Sequence, residues 1–295
     1  MTSLDDLNIL FCYDEQKIGA TKRTKTLKSQ FHDVEIHPIP KQKIEDVNDE
    51  FTHIIIDKTA TGTNLNYNTE NIFYLTNFHR DDYSDISHNQ IIIPDYQMPN
   101  TICRYNLQNR YENQYNCVGP LIETVTSKER TERLLVIGKR SYMINLAHWI
   151  VGHANDVKWT ITSYDKNVCK LLKESNNYDH EVIYTSKIEP LLAKSKYVVH
   201  YGSHQLTMEC IENNLVQLII PPLNSRYHQQ HAFRIREFKI GSYAFDIFHK
   251  IPMERKYRIL RSIRCNYRGY KQNLKNFKNK IQVNKCTSHT IFTRN

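Results

Sequence analysis

The stretch Tyr197-Val-Val-His-Tyr-Gly-Ser-His-Gln-Leu-Thr-Met-Glu-Cys-Ile-Glu-Asn-Asn-Leu-Val-Gln-Leu-Ile-Ile-Pro-Pro222 decides the fold of this chain. Tyr197–His200 is a short apolar run of the kind that forms a strand buried on both faces. Gly202-Ser203-His204 reads as a polar turn, Leu206–Asn214 as a helix, and Val216–Ile220 as a second strand. Pro221 and Pro222 stop that strand, because proline cannot donate to a sheet ladder. A polar loop and Tyr227-His-Gln-Gln-His-Ala232 then open another helix. Strand, helix and strand in this order form a right-handed crossover unit of a parallel sheet.

The same alternation extends backwards. Leu134–Ile137, Val157–Thr162 and Glu181–Tyr184 read as strands, with helices over Tyr142–Ala154, Asn167–Glu174 and Lys187–Ala193. The first half has strand candidates at Asn8–Cys12, Val34–Ile39, His53–Ile56, Ile72–Leu75 and Gln90–Ile93. Gln16–Leu27 reads there as a loop entering a helix, and the proline-containing segment Pro94–Leu107 closes the half. The fold class is therefore α/β, with two Rossmann-like domains. Ligands of such sheets bind at the carboxyl ends of the strands. The expected division is an N-terminal domain over 1–118, a linker over 119–130, a C-terminal domain over 131–253 and a tail over 254–295.

That tail is compositionally distinct. From Glu254 to Lys285 it holds eleven Lys and Arg and a single acid. Apolar residues at 260, 263, 267, 270, 274, 277 and 281 keep helical spacing, so it reads as one basic amphipathic helix or two, with Gly269 marking a break. The whole chain carries 40 Lys and Arg against 31 acids, for +9, with 40% hydrophobic residues. That is enough apolar surface to exclude a disordered chain. Glycine occurs only 8 times in 295 residues, against an average near ~7%, which weighs against Gly-rich phosphate loops. The seven cysteines are scattered with no CxxC pair, which excludes a disulfide framework and a cysteine zinc site. No run approaches the ~20 apolar residues that span a bilayer, and Met1–Asp6 does not read as a signal peptide, so a cytoplasmic location is expected.

Gly202 through Thr207 to Glu209, the apolar strand ending at Pro221, and His228-Gln-Gln-His-Ala232 resemble the donor-site signature of GT-B glycosyltransferases, most nearly the MurG-like enzymes of glycosyltransferase family 28. That pattern runs roughly G-G-x-x-T-x-x-E, apolar strand, P, Q-x-x-N-A. Gln16–Arg23 resembles the family's N-domain loop G-x-G-H-x-x-R. Val118–Ile122 is similar to its interdomain G-P-L, and Leu135–Lys139 to the first strand and turn of its donor domain.

The resemblance implies a GT-B arrangement, with the two domains facing a cleft, and a metal-independent, hexosyltransferase-like enzyme. The donor would be a nucleotide-diphosphate sugar, with UDP expected, taken as co-substrate with no other cofactor. Glu209 would hold the ribose, Ser203, His204 and Thr207 the diphosphate, and Gln229 or Gln230 the sugar, with Gly138 and Lys139 also at the donor site. Gly19, Thr21 and Arg23 would form the N-domain loop near the acceptor, which is lipid-linked in many relatives. The tail over 254–285 would suit an anionic leaflet on the inner face of the membrane.

The chain departs from the pattern in places. Ala20 stands where the family has the loop histidine, leaving Asp14 and Asp95 as candidate bases. Ser203 and His231 replace a Gly and the Asn, and Thr207 is one residue closer to Glu209 than the family places it. Two rival readings stay open. One is a catalytically degenerate member that binds a sugar nucleotide or a partner subunit. The other, from a different class, is a nucleic-acid-binding protein using the basic, tyrosine-interleaved tail, although nucleic acid is not the expected partner. His200 with His204, His228 with His231, and Asp81-Asp82-Tyr-Ser-Asp85 are weighed as metal ligands and set aside, so no metal is expected.

Overall fold

A computed structural model of the chain describes residues 7–16, 18–30, 34–40, 51–57, 72–75, 91–93, 116–117, 120–122, 124–125, 130, 132–244, 247–262 and 267–280. Two compact units emerge, the second of them Thr124–Lys280. Asp95 and the segment 94–107 lie outside the described residues.

The first unit contains β1 (Asn8–Tyr13), α1 (Ile18–Gln30), β2 (Glu35–Pro40), β3 (His53–Asp57), β4 (Ile72–Leu75), β5 (Ile91–Ile93) and β6 (Asn116–Cys117). These strands form one parallel sheet in the order β2-β1-β3-β4-β5-β6. Ile9, Leu10, Phe11 and Cys12 are completely buried, as expected for a central parallel strand covered on both faces. The helix after β1 starts earlier than the sequence suggests. Gly19, Thr21 and Arg23 lie within the first two turns of α1, and the connecting loop is correspondingly short. Thr24 and Thr26 donate their hydroxyls to the carbonyls of Ala20 and Lys22, four residues back, so these β-branched polar residues are satisfied within the helix.

The second unit continues with β7 (Glu132–Val136), α2 (Ser141–His153), β8 (Thr160–Ser163), α3 (Lys166–Glu174), β9 (Glu181–Tyr184) and α4 (Glu189–Lys194). Then come β10 (Ser195–His200), α5 (His204–Glu212), β11 (Val216–Ile219), α6 (Arg226–Glu237) and β12 (Gly241–Tyr243). Its strands are all parallel, in the order β12-β11-β10-β7-β8-β9. Numbered from β7 this is 6-5-4-1-2-3, the doubly wound Rossmann order, whose topological switch point lies between β7 and β10.

Side chains set several of these boundaries. The β8 strand begins at Thr160 and not at Val157. Asp165 caps α3 by accepting from the backbone N–H groups of Asn167 and Val168. The buried His180 closes α2. Its Nδ1 accepts from the Trp159 N–H, so Nε2 carries the proton and lies 2.8 Å from the Ala154 carbonyl oxygen and 3.2 Å from that of Ile150.

The tail adds α7 (Ile247–Lys250), α8 (Met253–Ser262) and α9 (Tyr267–Lys280). Gly269 lies inside α9, so the expected break there does not occur. Both long helices pack on the second unit. Tyr257 donates to Asp156 at 2.6 Å, Arg261 pairs with the same carboxylate, and Lys278 pairs with Glu212. Leu260, Leu274 and Phe277 are buried. The stripe read from the sequence is therefore a packing face, and Arg255, Arg258, Arg268, Lys271 and Lys275 remain exposed. No helix among the described residues is long and apolar enough to cross a membrane.

Candidate functional site

The switch point of the second unit is built from two turns. Gly138-Lys139-Arg140 follows β7 and leads into α2, and Tyr201-Gly202-Ser203 follows β10 and leads into α5. Both glycines need the left-handed region, at φ +57° for Gly138 and +90° for Gly202. A Cβ on Gly202 would also stand 2.7 Å from the Ile219 side chain and 3.0 Å from the His228 carbonyl oxygen. Glycine is therefore required at this turn for reasons of space as well as conformation.

Two helix N-termini meet here; neither Arg140 nor Ser203 caps its helix with its side chain, and the first amide of α5, that of His204, donates to the Tyr227 hydroxyl. Amides at such ends carry partial positive charge and suit anionic oxygens. Lys139 and Arg140 add full charges and are exposed. The Lys139 ammonium lies 5.6 Å from the centre of the Tyr164 ring, and the Arg140 guanidinium 5.9 Å from that of Tyr201.

Histidines support the second turn from behind. The fully buried His200 accepts the Gly202 N–H at Nδ1, which leaves the Nε2 proton to donate to Gln217 Oε1 at 3.0 Å. Burial pushes its pKa down to about 4, so the ring is neutral and holds the turn in shape. His228, on α6, has its Nδ1 2.6 Å from the Ser225 hydroxyl. Its pKa is also pushed down to about 4, by burial first and then by the Arg140 charge. Tyr227 packs against both His228 and His231, its hydroxyl accepts the His204 N–H, and His231 faces His204 at 5.3 Å.

The residues singled out from the sequence divide accordingly. Gly138, Lys139, Ser203 and His204 sit on the two converging turns. Glu209 is buried on α5, within the second turn from its start, and accepts from the Gln205 amide. Thr207 is buried, and its hydroxyl donates to the Ser203 carbonyl at 2.8 Å. The Gln229 amide donates to the Pro222 and Leu223 carbonyls, fixing the loop after β11. Gln230 has a buried side-chain oxygen with no hydrogen-bond partner among the described residues. In the first unit, Arg23 is buried and makes two hydrogen bonds to Asp57, at 2.9 and 2.7 Å. Asp14, at the end of β1, accepts the Gln16 N–H. The motif comparison passed over Arg140, Tyr164 and Tyr201. Their signal was positional, since each directly follows a strand or its turn at the carboxyl edge of the sheet. No group of three or more His, Cys, Asp or Glu side chains among the described residues could hold a metal ion.

Comparison of the sequence with known families and with curated proteins finds no match in either. The structure does find counterparts along nearly the whole chain. Spinosyn rhamnosyltransferase SpnG aligns with a TM-score of 0.64 at 10% identity, covering 98% of this chain and 99% of its own. A second structure of SpnG, complexed with thymidine diphosphate, aligns at 0.60. Phytolacca americana UGT2, complexed with UDP-2fluoro-glucose and pterostilbene, aligns at 0.57 and 10% identity over 95% of each chain. MurG from Acinetobacter baumannii aligns at 0.52 and 8% identity over 97% of this chain and 98% of its own. The chain has the GT-B fold, made of two Rossmann-like units.

Proposed function

We propose that the second unit binds a nucleotide-diphosphate sugar at the carboxyl ends of β7 and β10, and that the chain transfers the sugar to an acceptor. One observation carries this reading. Two glycine turns, two helix N-termini and two exposed cations meet at the switch point of a sheet whose full-length structural counterparts are glycosyltransferases. Two of those counterparts are described with thymidine diphosphate or a UDP-sugar bound.

In the transfer step an acceptor hydroxyl oxygen forms a bond to the anomeric carbon, while the bond from that carbon to the diphosphate oxygen breaks. The leaving diphosphate takes the electron pair. Lys139, Arg140 and the amides opening α5 stabilise that charge, which is a preorganised electrostatic contribution that needs no metal. In this reading Glu209 receives the ribose hydroxyls, and Gln229 or Gln230 the sugar. The acceptor gives up its proton to a general base, with the Asp14 and Asp95 carboxylates as the candidates. Ala20, fully buried where the related pattern has histidine, favours a second reading in which the donor is bound without transfer.

Calorimetry with UDP- and TDP-hexoses tests the site. Glu209→Ala is expected to weaken donor binding by about 10–100-fold, the value of one charge-assisted hydrogen bond. Unchanged affinity would end the ribose assignment. Formation of the glycosylated acceptor separates transfer from binding alone.

The exposed basic face of α8 and α9 supports a peripheral position on an anionic membrane surface, at about 1 kcal/mol for each well-placed cation. Co-sedimentation with phosphatidylglycerol vesicles should fall when Arg255, Arg258 and Lys271 are changed to Glu. Sedimentation that persists would refute the membrane role.

A further inference from the structure

The switch-point crevice is already filled, and a residue of this chain fills it. Tyr201 is the first residue after β10, on the strand hydrogen-bonded to β7, and its ring lies over the Cα of Gly138. A Cβ added to Gly138 would stand only 2.9 Å from the ring's Cε1 and 3.5 Å from Cδ1 and Cζ. The ring therefore spans from one turn to the other. Its other contacts hold it there. The Arg140 guanidinium is 5.9 Å from its centre and the His228 ring 5.6 Å. Tyr201 remains only partly buried.

We propose that Tyr201 is a plug on the diphosphate position, and that a nucleoside diphosphate seats only when this ring swings out from between the two turns. The inference rests on the donor site described under the proposed function and adds a residue that controls entry to it. The ring also packs at the edge of the second unit's core, and the three atoms nearest a Cβ on Gly138 all belong to it.

The same geometry explains how the plug can be released. Lys139 and Arg140 are each held against a tyrosine ring, Tyr164 and Tyr201 respectively. An aromatic face is a weaker partner for a cation than a phosphate oxygen, which accepts charge-assisted hydrogen bonds. An arriving diphosphate competes for both cations at once, and Arg140 turning towards it removes one of the contacts that keep the Tyr201 ring in place. The cost of displacing the ring lowers the apparent affinity, in the way a minor binding-competent population does.

Titration calorimetry with UDP and TDP on the full chain, with Tyr201→Ala and Tyr201→Phe beside wild type, tests this. Tyr201→Ala is expected to bind at least about tenfold more tightly, and Tyr201→Phe, which keeps the ring, to stay within about threefold of wild type. If wild type binds and Tyr201→Ala binds no better, the plug is refuted while the donor site stands. If none of the proteins binds either nucleotide, the donor site itself is refuted and the plug with it. The unsubstituted protein supplies a second measurement that does not depend on how Tyr201→Ala folds. Saturating UDP should raise the fraction of Tyr201 nitrated by tetranitromethane, mapped by peptide mass. An unchanged or lowered fraction would refute the swing.

Discussion

The two units share a doubly wound parallel sheet, yet their switch points are furnished in opposite ways. In the first unit the switch lies between β1 and β3, whose carboxyl ends carry Asp14 and Asp57. Among the described residues the cation placed there, Arg23 of α1, is buried and bound to Asp57. In the second unit the switch lies between β7 and β10, and the residues at the strand ends are Gly138, Lys139, Arg140, Tyr201 and Gly202. Its cations face rings rather than carboxylates. A dianionic diphosphate would meet two carboxylates at the first junction and two available cations at the second. The contrast is the ground on which the proposed donor site is put in the second unit.

The most damaging way to break this comparison is to remove Arg23. Arg23→Ala leaves Asp57, only 1% exposed, without its guanidinium, and loss of one partner of a buried ion pair costs about 3–5 kcal/mol. The urea midpoint of the first unit should fall accordingly, while UDP affinity of the folded protein should not change. A stability loss below about 1 kcal/mol would mean that the pair does not close the first junction. A parallel loss of UDP affinity would mean that the first junction takes part in donor binding.

The degree to which each junction could be read from sequence follows from how far apart its parts lie. Nearly every strand and helix of the second unit could be read, because β10, α5 and β11 form one continuous run whose apolar periodicity changes from strand to helix and back. Gly202 was recognisable because the turn comes between a buried strand and a helix. The first unit was harder. Gly19, Thr21 and Arg23 looked like loop residues because α1 is rich in Thr and Lys, so tertiary contacts decide its start. The pairing of Arg23 with Asp57 spans 34 residues and leaves no local trace. The same applies to the plug. Its two halves, Gly138 and Tyr201, are adjacent only because β7 and β10 are neighbours in the sheet. The tail's stripe was visible, but Gly269 misled, since a helix anchored by Leu274 and Phe277 tolerates one glycine.

A smaller effect sharpens the comparison from the second side, because the donor turn rests on a neutral histidine and the first junction does not. His200 has its pKa lowered from 6.5 to about 4 by burial. A depressed folded pKa means that the unfolded chain takes up the proton first, so the stabilising contribution is complete above pH 6.5 and is lost as pH falls towards 4. Over that window the second unit should lose on the order of 3 kcal/mol from this ring. His228, depressed to about 4 as well, should add to the loss. Its protonation is opposed by the Arg140 charge, so the decline becomes shallower if Arg140 is changed to Gln. Thermal unfolding followed from pH 7.5 to 4.5 provides the measurement, with His200→Gln as the comparison. Glutamine has no proton to gain, so the variant starts less stable at pH 7.5 but declines less steeply. Equal slopes for the two proteins would show that the donor turn does not depend on a neutral His200.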